Sequence, residues 1–293
     1  MRLFSLQILI LLFALVSCKG KDDQQKESNK MVQLTDTIDQ AIFNSIRKIA
    51  QENSFSNLES ADRILEVGKL FLLTPYVGGT LEADGDEKLV VNLRELDCTT
   101  YLENVVVLSS ISKQDHFSEN DFLNKLKELR YRKGEIKDYT SRLHYFSDWI
   151  YENEQKGIVK NVTSEIGGVK YMKEINFMSK HVDSYPALKA DSSLIVSIQD
   201  TENAINGRDL FYIPEDNVQN VENKIYNGDL IAITTKIKGL DISHVGIAIH
   251  VNERLHLMHA SSLAKEVVIS DIPLADILKE SKLQSGIMVA RVQ

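Results

Sequence analysis

Apolar residues recur at helical spacing across residues 35–53 (Ile38, Ala41, Ile42, Ile46, Ile49), which predicts an amphipathic helix. A second helix is expected over 60–71, with Ile64, Leu65, Val67 and Leu70 turned inward. Thr74-Pro75-Tyr76-Val77-Gly78-Gly79 breaks that pattern and starts a loop. Residues 89–93 read as a short strand. The stretch after Cys98 (Tyr101, Leu102, Val105, Val106, Leu108) reads as a helix with a strong apolar face, and 119–130 as another. Residues 139–151 are aromatic-rich and fit neither period cleanly. The last third changes character: 230–234, 245–251, 255–260, 267–270 and 286–292 are short β-type runs separated by turn residues. Helices first and strands later, without βαβ alternation, predict an α+β fold with N-terminal helices on a mainly antiparallel sheet. Residues 31–293 read as one domain, with about 135–225 an elaboration on it.

Composition narrows the function classes. The formal net charge of −8 argues against a nucleic-acid partner, which usually selects a basic face. With 43% hydrophobic residues among 293, the chain can bury a substantial core. At the start, Arg2 precedes a mainly apolar run from Leu3 to Val16, too short to span a bilayer and shaped like a signal-peptide core. It ends in Leu15-Val16-Ser17-Cys18, which resembles the lipobox of bacterial lipoproteins. That resemblance implies removal of residues 1–17 and acylation of Cys18. Residues 18–30 would then be the lipidated cysteine and a flexible, charged tether. An ordinary secretory signal with an incidental cysteine is the plainer alternative.

Export changes what the second cysteine means. Only Cys18 and Cys98 are present, so a lipidated Cys18 leaves Cys98 with no intramolecular partner. A buried, inert thiol would explain that. Position offers another reading, because Cys98 stands where Leu96-Asp97 turns into a helix. Unpaired N–H groups and the helix dipole there favour a thiolate and can bind an oxyanion. Thr100 followed by Glu103 resembles a capping box, which supports a helix start nearby.

Four of the seven histidines (His244, His250, His256, His259) crowd into the β-rich region, so zinc must be weighed. His250 and His256 flank a polar turn, and no cysteine pair or closely spaced carboxylate completes a cage; no metal or other cofactor is expected. If the turn centres on Asn252-Glu253, an even-length hairpin pairs Gly246 with His259 and sets His244 and His259 on one face as diagonal neighbours. One imidazole would then face a thiol while the other orients it. Gly246 would leave open space opposite His259.

Three blocks together resemble the NlpC-type, papain-like cell-wall cysteine peptidases: Thr74 to Gly79, then Asp97-Cys98-Thr99, then Gly228-Asp229-Leu230 with Ser243-His244-Val245-Gly246-Ile247 and His259-Ala260-Ser261-Ser262. The turn after the cysteine and the long insertion before His244 are similar to one branch, the N-acetylmuramoyl-L-alanine amidase-like proteins, often lipoproteins. Ser141-Arg142-Leu143-His144-Tyr145-Phe146 and Asn176-Phe177-Met178-Ser179 carry that likeness. It implies a papain-like NlpC-type fold and cleavage of the amide joining a lactyl group to L-alanine in (anhydro)muropeptides. Cys98 would be nucleophile, His244 base and His259 orienter, with Tyr76 near the nucleophile. Arg142 is expected to grip a peptide carboxylate or else to be a solvated helix charge, and His144 or Trp149 to line a sugar subsite. Glu82 and Asp241 have no assigned role. The alternatives are a γ-D-glutamyl–diamino acid endopeptidase and a peptidoglycan-binding lipoprotein without catalysis. The expected partners are peptidoglycan fragments and, through Cys18, the outer membrane; a monomer is expected.

Overall fold

The computed structural model describes residues 34, 36–82 and 85–293. The signal-like run, Cys18 and the tether lie outside the described residues. In chain order the helices are α1 Thr37–Glu52, α2 Ser60–Lys69, α3 Cys98–Ile111, α4 Glu119–Arg130 and α5 Phe146–Gln155. They continue with α6 Phe177–Lys180, α7 Pro186–Ala190, α8 Leu194–Asn206, α9 Val218–Val221 and α10 Leu274–Glu280. The strands are β1 Val159–Asn161, β2 Val169–Lys170, β3 Phe211–Pro214, β4 Leu230–Thr235, β5 Ile242–Val251, β6 Arg254–Ser261, β7 Glu266–Ile269 and β8 Gln284–Val292. They form one antiparallel sheet in the order β2-β3-β8-β4-β5-β6-β7, with β1 also paired to β8. The expected α+β class holds.

Strand alternation divides the apolar residues between the two faces of this sheet. Ala232, Val245, Ile247, Met258 and Met288 join the buried side chains of α1 to α5 in the larger core. Ile231, Ile233, Leu257 and Val289 face the other way, onto Leu274 and Leu278 of α10. The middle segment does more than decorate the domain, since its β1 and β3 both pair with β8 and widen the sheet. Its two branch-like blocks meet at one hydroxyl: Tyr145 Oη donates to Glu202 and accepts from the Met178 N–H.

Residues 89–93 form no strand. Their backbone groups are satisfied by side chains instead of a ladder, which periodicity cannot show. The Val90 carbonyl accepts from Arg130, the Asn92 carbonyl from Asn104, and the Leu93 N–H donates to Asp39.

Around α3 burial extends past one apolar stripe to Thr100, Glu103 and Asn104. A buried carboxylate requires partners, and Glu103 accepts from Arg130 Nε at 2.7 Å and Trp149 Nε1 at 3.1 Å. Removing one member of such a pair strands the other in the core. Glu103→Ala should therefore cost about 3–5 kcal/mol in urea unfolding, while Glu128→Ala, which breaks the half-exposed pair with Lys125, should cost about 0.5 kcal/mol or less. Equal costs would show that the buried pair holds nothing together.

Candidate active site

Asp97 is the N-cap of α3. Its carboxylate accepts from the Thr100 N–H at 2.8 Å, and Thr100 Oγ1 accepts in return from the Asp97 N–H at 2.9 Å. This capping box lies one turn before the Thr100–Glu103 pair suggested by the sequence, because the first helical residue is Cys98 itself. The half-buried thiol thus stands at the helix N-terminus with Asp97 already committed to the cap.

The turn Asn252-Glu253 has φ of 49° and 66° at its two central residues, the type I′ geometry that suits a two-residue hairpin. Val251 pairs with Arg254, and the register runs back to Ile247 opposite Met258. Extended by one step it sets Gly246 against His259, as the sequence predicts. Toward His244 the registered pairs of β5 are with β4, not β6. There the Val245 N–H instead donates to the sulfur of Cys98, as do groups of Thr99. The thiol is therefore bound to the backbone immediately after His244.

His244 Nε2 lies 2.6 Å from His259 Nδ1, with the rings nearly perpendicular. One of the two nitrogens donates and the other accepts, so at least the accepting ring is neutral. Burial lowers His244 to about 3, helped by the neighbouring His259, and burial lowers His259 to about 4. Burial also pushes the Cys98 thiol up to about 11, the Asp97 charge adding to it and the N–H donors opposing it. Desolvation outweighs the helix terminus here, so the expected resting thiolate gives way to a neutral thiol, and burial keeps both imidazoles neutral as well. Gly246 leaves no open space: a Cβ there would meet Leu257 at 2.8 Å and His259 Cβ at 3.0 Å. Its role is to let those side chains close over the strand.

Tyr76 reaches the site from the loop. Its N–H donates to the Lys265 carbonyl, and Val77 N–H to that of Leu96, so the β6–β7 turn and the segment before Cys98 both hold it. Burial raises its phenol, and the nearby Cys98 and Asp97 raise it further.

The remaining expected residues lie in other settings. Trp149 is 0% exposed, stacks on Phe146 and donates to Glu103. It belongs to the core and has no surface for a sugar, which corrects the expectation for it. His144 is partly buried beside Tyr139, with Nε2 2.7 Å from the Tyr139 carbonyl, and burial lowers it to about 3. Arg142 is no solvated helix charge; it lies outside any helix, 5% exposed, and donates to Glu82 at 2.8 Å. Asp241, buried and with its carboxyl raised by desolvation, accepts from the Ser147 N–H in the first turn of α5. His250 lies against Asn227 and the Glu222 carbonyl, and His256 against the Ser270 carbonyl. The polar partners of these two are thus separate from the His244–His259 pair.

A family model described as N-acetylmuramoyl-L-alanine amidase-like matches residues 66–287. The chain belongs to this family. An N-acetylmuramoyl-L-alanine amidase from Bacteroides uniformis is 37% identical, with a TM-score of 0.77 over 80% of this chain and 99% of that one. A Bacteroides fragilis protein, described provisionally as a xylanase, is 40% identical with a TM-score of 0.75 over 78% and 100%. A Legionella pneumophila protein is 25% identical with a TM-score of 0.65 over 87% and 95%. A search of curated proteins found no match. Membership of the amidase-like family implies a peptidoglycan-derived substrate.

The neutral pair has a pH signature. Alkylation of Cys98 by iodoacetamide in the free protein should be slow at pH 7 and still climbing at about pH 9, as expected for a thiol raised above the ordinary range near 8.5. A plateau reached by about pH 6 would mean a resting thiolate–imidazolium pair. The histidines also act on stability. Folding disfavours their protonation, so the stability they allow is fully present above the ordinary histidine range near 6.5. It is lost as pH falls toward 4 and then 3.

Proposed function

We propose that the protein is a cysteine-dependent N-acetylmuramoyl-L-alanine amidase. In this reading it cleaves the lactyl–L-alanine amide of (anhydro)muropeptides on a papain-like, NlpC-type fold. The observation that carries the reading is the thiol of Cys98 hydrogen-bonded to the Val245 N–H, the residue that follows His244, whose ring pairs with His259 at 2.6 Å. A proton on His244 Nε2, donated to His259, leaves His244 Nδ1 with a lone pair for the thiol proton.

The proton moves as the bond forms, since neither partner is ionised in the empty site. Cys98 sulfur adds to the amide carbon while His244 takes the thiol proton. The carbonyl oxygen becomes an oxyanion, for which the N–H groups around Cys98 and the Tyr76 hydroxyl are the nearby donors. Collapse breaks the C–N bond, and His244 gives its proton to the departing L-alanyl nitrogen. Water, deprotonated by the same imidazole, then cleaves the thioester and restores the thiol. His259 orients His244 throughout. A glycosidase reading, suggested by the provisional name of the Bacteroides fragilis relative, needs two carboxyl groups across the bond. The groups gathered here are a thiol, two imidazoles and a phenol, and Asp97 is held in the cap.

Mass spectrometry of anhydro-muropeptides incubated with the purified protein should show free anhydro-disaccharide and intact stem peptide. Cys98→Ala should reduce turnover by at least about 10³-fold, and His259→Ala should lower kcat about 10²-fold with little change in KM. A released L-alanyl-D-glutamate product would transfer the enzyme to the endopeptidase class, and undiminished turnover in Cys98→Ala would end the thiol mechanism. The acid limb of kcat/KM should lie below the ordinary histidine range near 6.5, because His244 must be neutral to act as base.

The same reading attaches the domain to the outer membrane through lipid on Cys18. Cys18→Ala should move the protein from the membrane fraction to the soluble envelope fraction; unchanged membrane retention would exclude this anchor.

A further inference from the structure

Arg142 lines a cavity of about 520 Å³ with Glu82, Glu87, Asp138 and Tyr139, closed on another side by Pro186 of α7 and Leu194 of α8. Its guanidinium is almost wholly buried but incompletely matched. Nη1 donates to the Leu81 carbonyl and Nη2 to Glu82, while buried Nε makes no hydrogen bond and has only Glu87 at 3.5 Å. Glu87 is itself held by the Tyr131 hydroxyl at 2.7 Å, and burial raises its carboxyl. Glu82 differs, since its side chain is 41% exposed. A nearly buried cation is thus served on one side by a solvent-exposed, single-contact carboxylate. An incoming carboxylate that bridges Nε and Nη2 in fork geometry would satisfy it better.

The rim adds a second demand. Asp86, Asp138 and Asp191 line the same cavity, opposed among the described residues by Lys137 and Arg142. A ligand bearing only negative charge would meet repulsion there, whereas one carrying an ammonium beside its carboxylate would meet both signs.

We propose that this cavity is a subsite for a zwitterionic amino-acid head group, with Glu82 as its internal placeholder. The ligand carboxylate replaces Glu82 on Arg142, and the released Glu82 turns to the ligand ammonium together with the acidic rim. The inference rests on the peptidoglycan-amidase reading for its substrate: the free end of a diamino acid in a stem peptide has this chemistry. The loop supports the connection. Tyr76 lies near Cys98 and Glu82 follows six residues later, so the two ends of the loop are at most about 22 Å apart.

Binding can be measured without turnover, by calorimetry with full-length Cys98→Ala protein. The probes are N-acetyl-L-alanyl-γ-D-glutamyl-diaminopimelate and two analogues, one with the distal carboxylate amidated and one with the distal amine acetylated. Both analogues should bind at least about tenfold more weakly, the loss expected when a charged partner is left unpaired. Glu82→Gln should tighten binding of the amine-acetylated analogue several-fold, because that ligand has no ammonium for the released Glu82 to meet and only loses a competitor. A merely structural Arg142–Glu82 bridge predicts a lower Tm and no gain in affinity. Arg142→Lys should weaken the parent peptide and narrow the difference between it and the amidated analogue. Equal binding of all three peptides, no binding of any, or unchanged affinity of the acetylated analogue in Glu82→Gln would overturn the subsite. Loss of cleavage by the Cys98 enzyme with peptide discrimination intact would count against the amidase reading alone.

Discussion

The reciprocal hydrogen bonds between Asp97 and Thr100 fix where α3 begins, and the chemistry at the sheet is measured from that point. Because the helix starts at Cys98, the thiol is carried on its first residue and reaches the stretch of β5 that is registered with β4 but not β6. The Val245 N–H, turned there toward the helix, is satisfied by sulfur. A helix beginning one residue later would carry the thiol elsewhere and leave that N–H without its partner, a cost of the order of a lost hydrogen bond. Burial of Glu103, Arg130 and Trp149 along α3 holds the helix against sliding, since any shift would break a desolvated charge pair.

Much of this was legible in the residues. The antiparallel strands of the last third announce themselves by alternation, and the Asn252-Glu253 turn fixes the register that brings His259 to His244. The helix over 119–130 has the bounds that its spacing suggests, with Ser118 capping its start. Other features have no local signal. The 89–93 stretch has strand composition, but Asp39, Asn104 and Arg130, distant in sequence, take its backbone groups. Trp149 looks like an exposed aromatic for a sugar only until Glu103 is seen to bind its indole N–H in the core. Glu82 carries no motif, and its meaning depends on Arg142 lying opposite. The electrostatics were also hidden, because the helix start argues for a thiolate while burial, which outweighs it, is a property of the folded chain.

The polar groups of the site differ in how firmly they are held. His244 and His259 hold one another, and Gly246 allows the close packing around them. Arg142, although buried, is matched by an exposed glutamate. One loop joins both situations, with Tyr76 at its thiol end and Glu82 at its arginine end. The candidate thiol site and the Arg142 cavity are therefore joined by a few residues of backbone.

That loop also closes the sheet. The Leu73 N–H donates to the Val267 carbonyl, the Val267 N–H to that of Thr74, and Pro75 bridges Glu266, so the outer side of β7 is already paired. At the opposite margin the sheet ends in the two-residue β2. Uncovered strand edges recruit other chains, and a loop that both reaches the candidate site and covers an edge is under two selections at once. Variants that loosen it should aggregate before their activity can be judged, so the loop would remain well formed even in a relative that had abandoned catalysis.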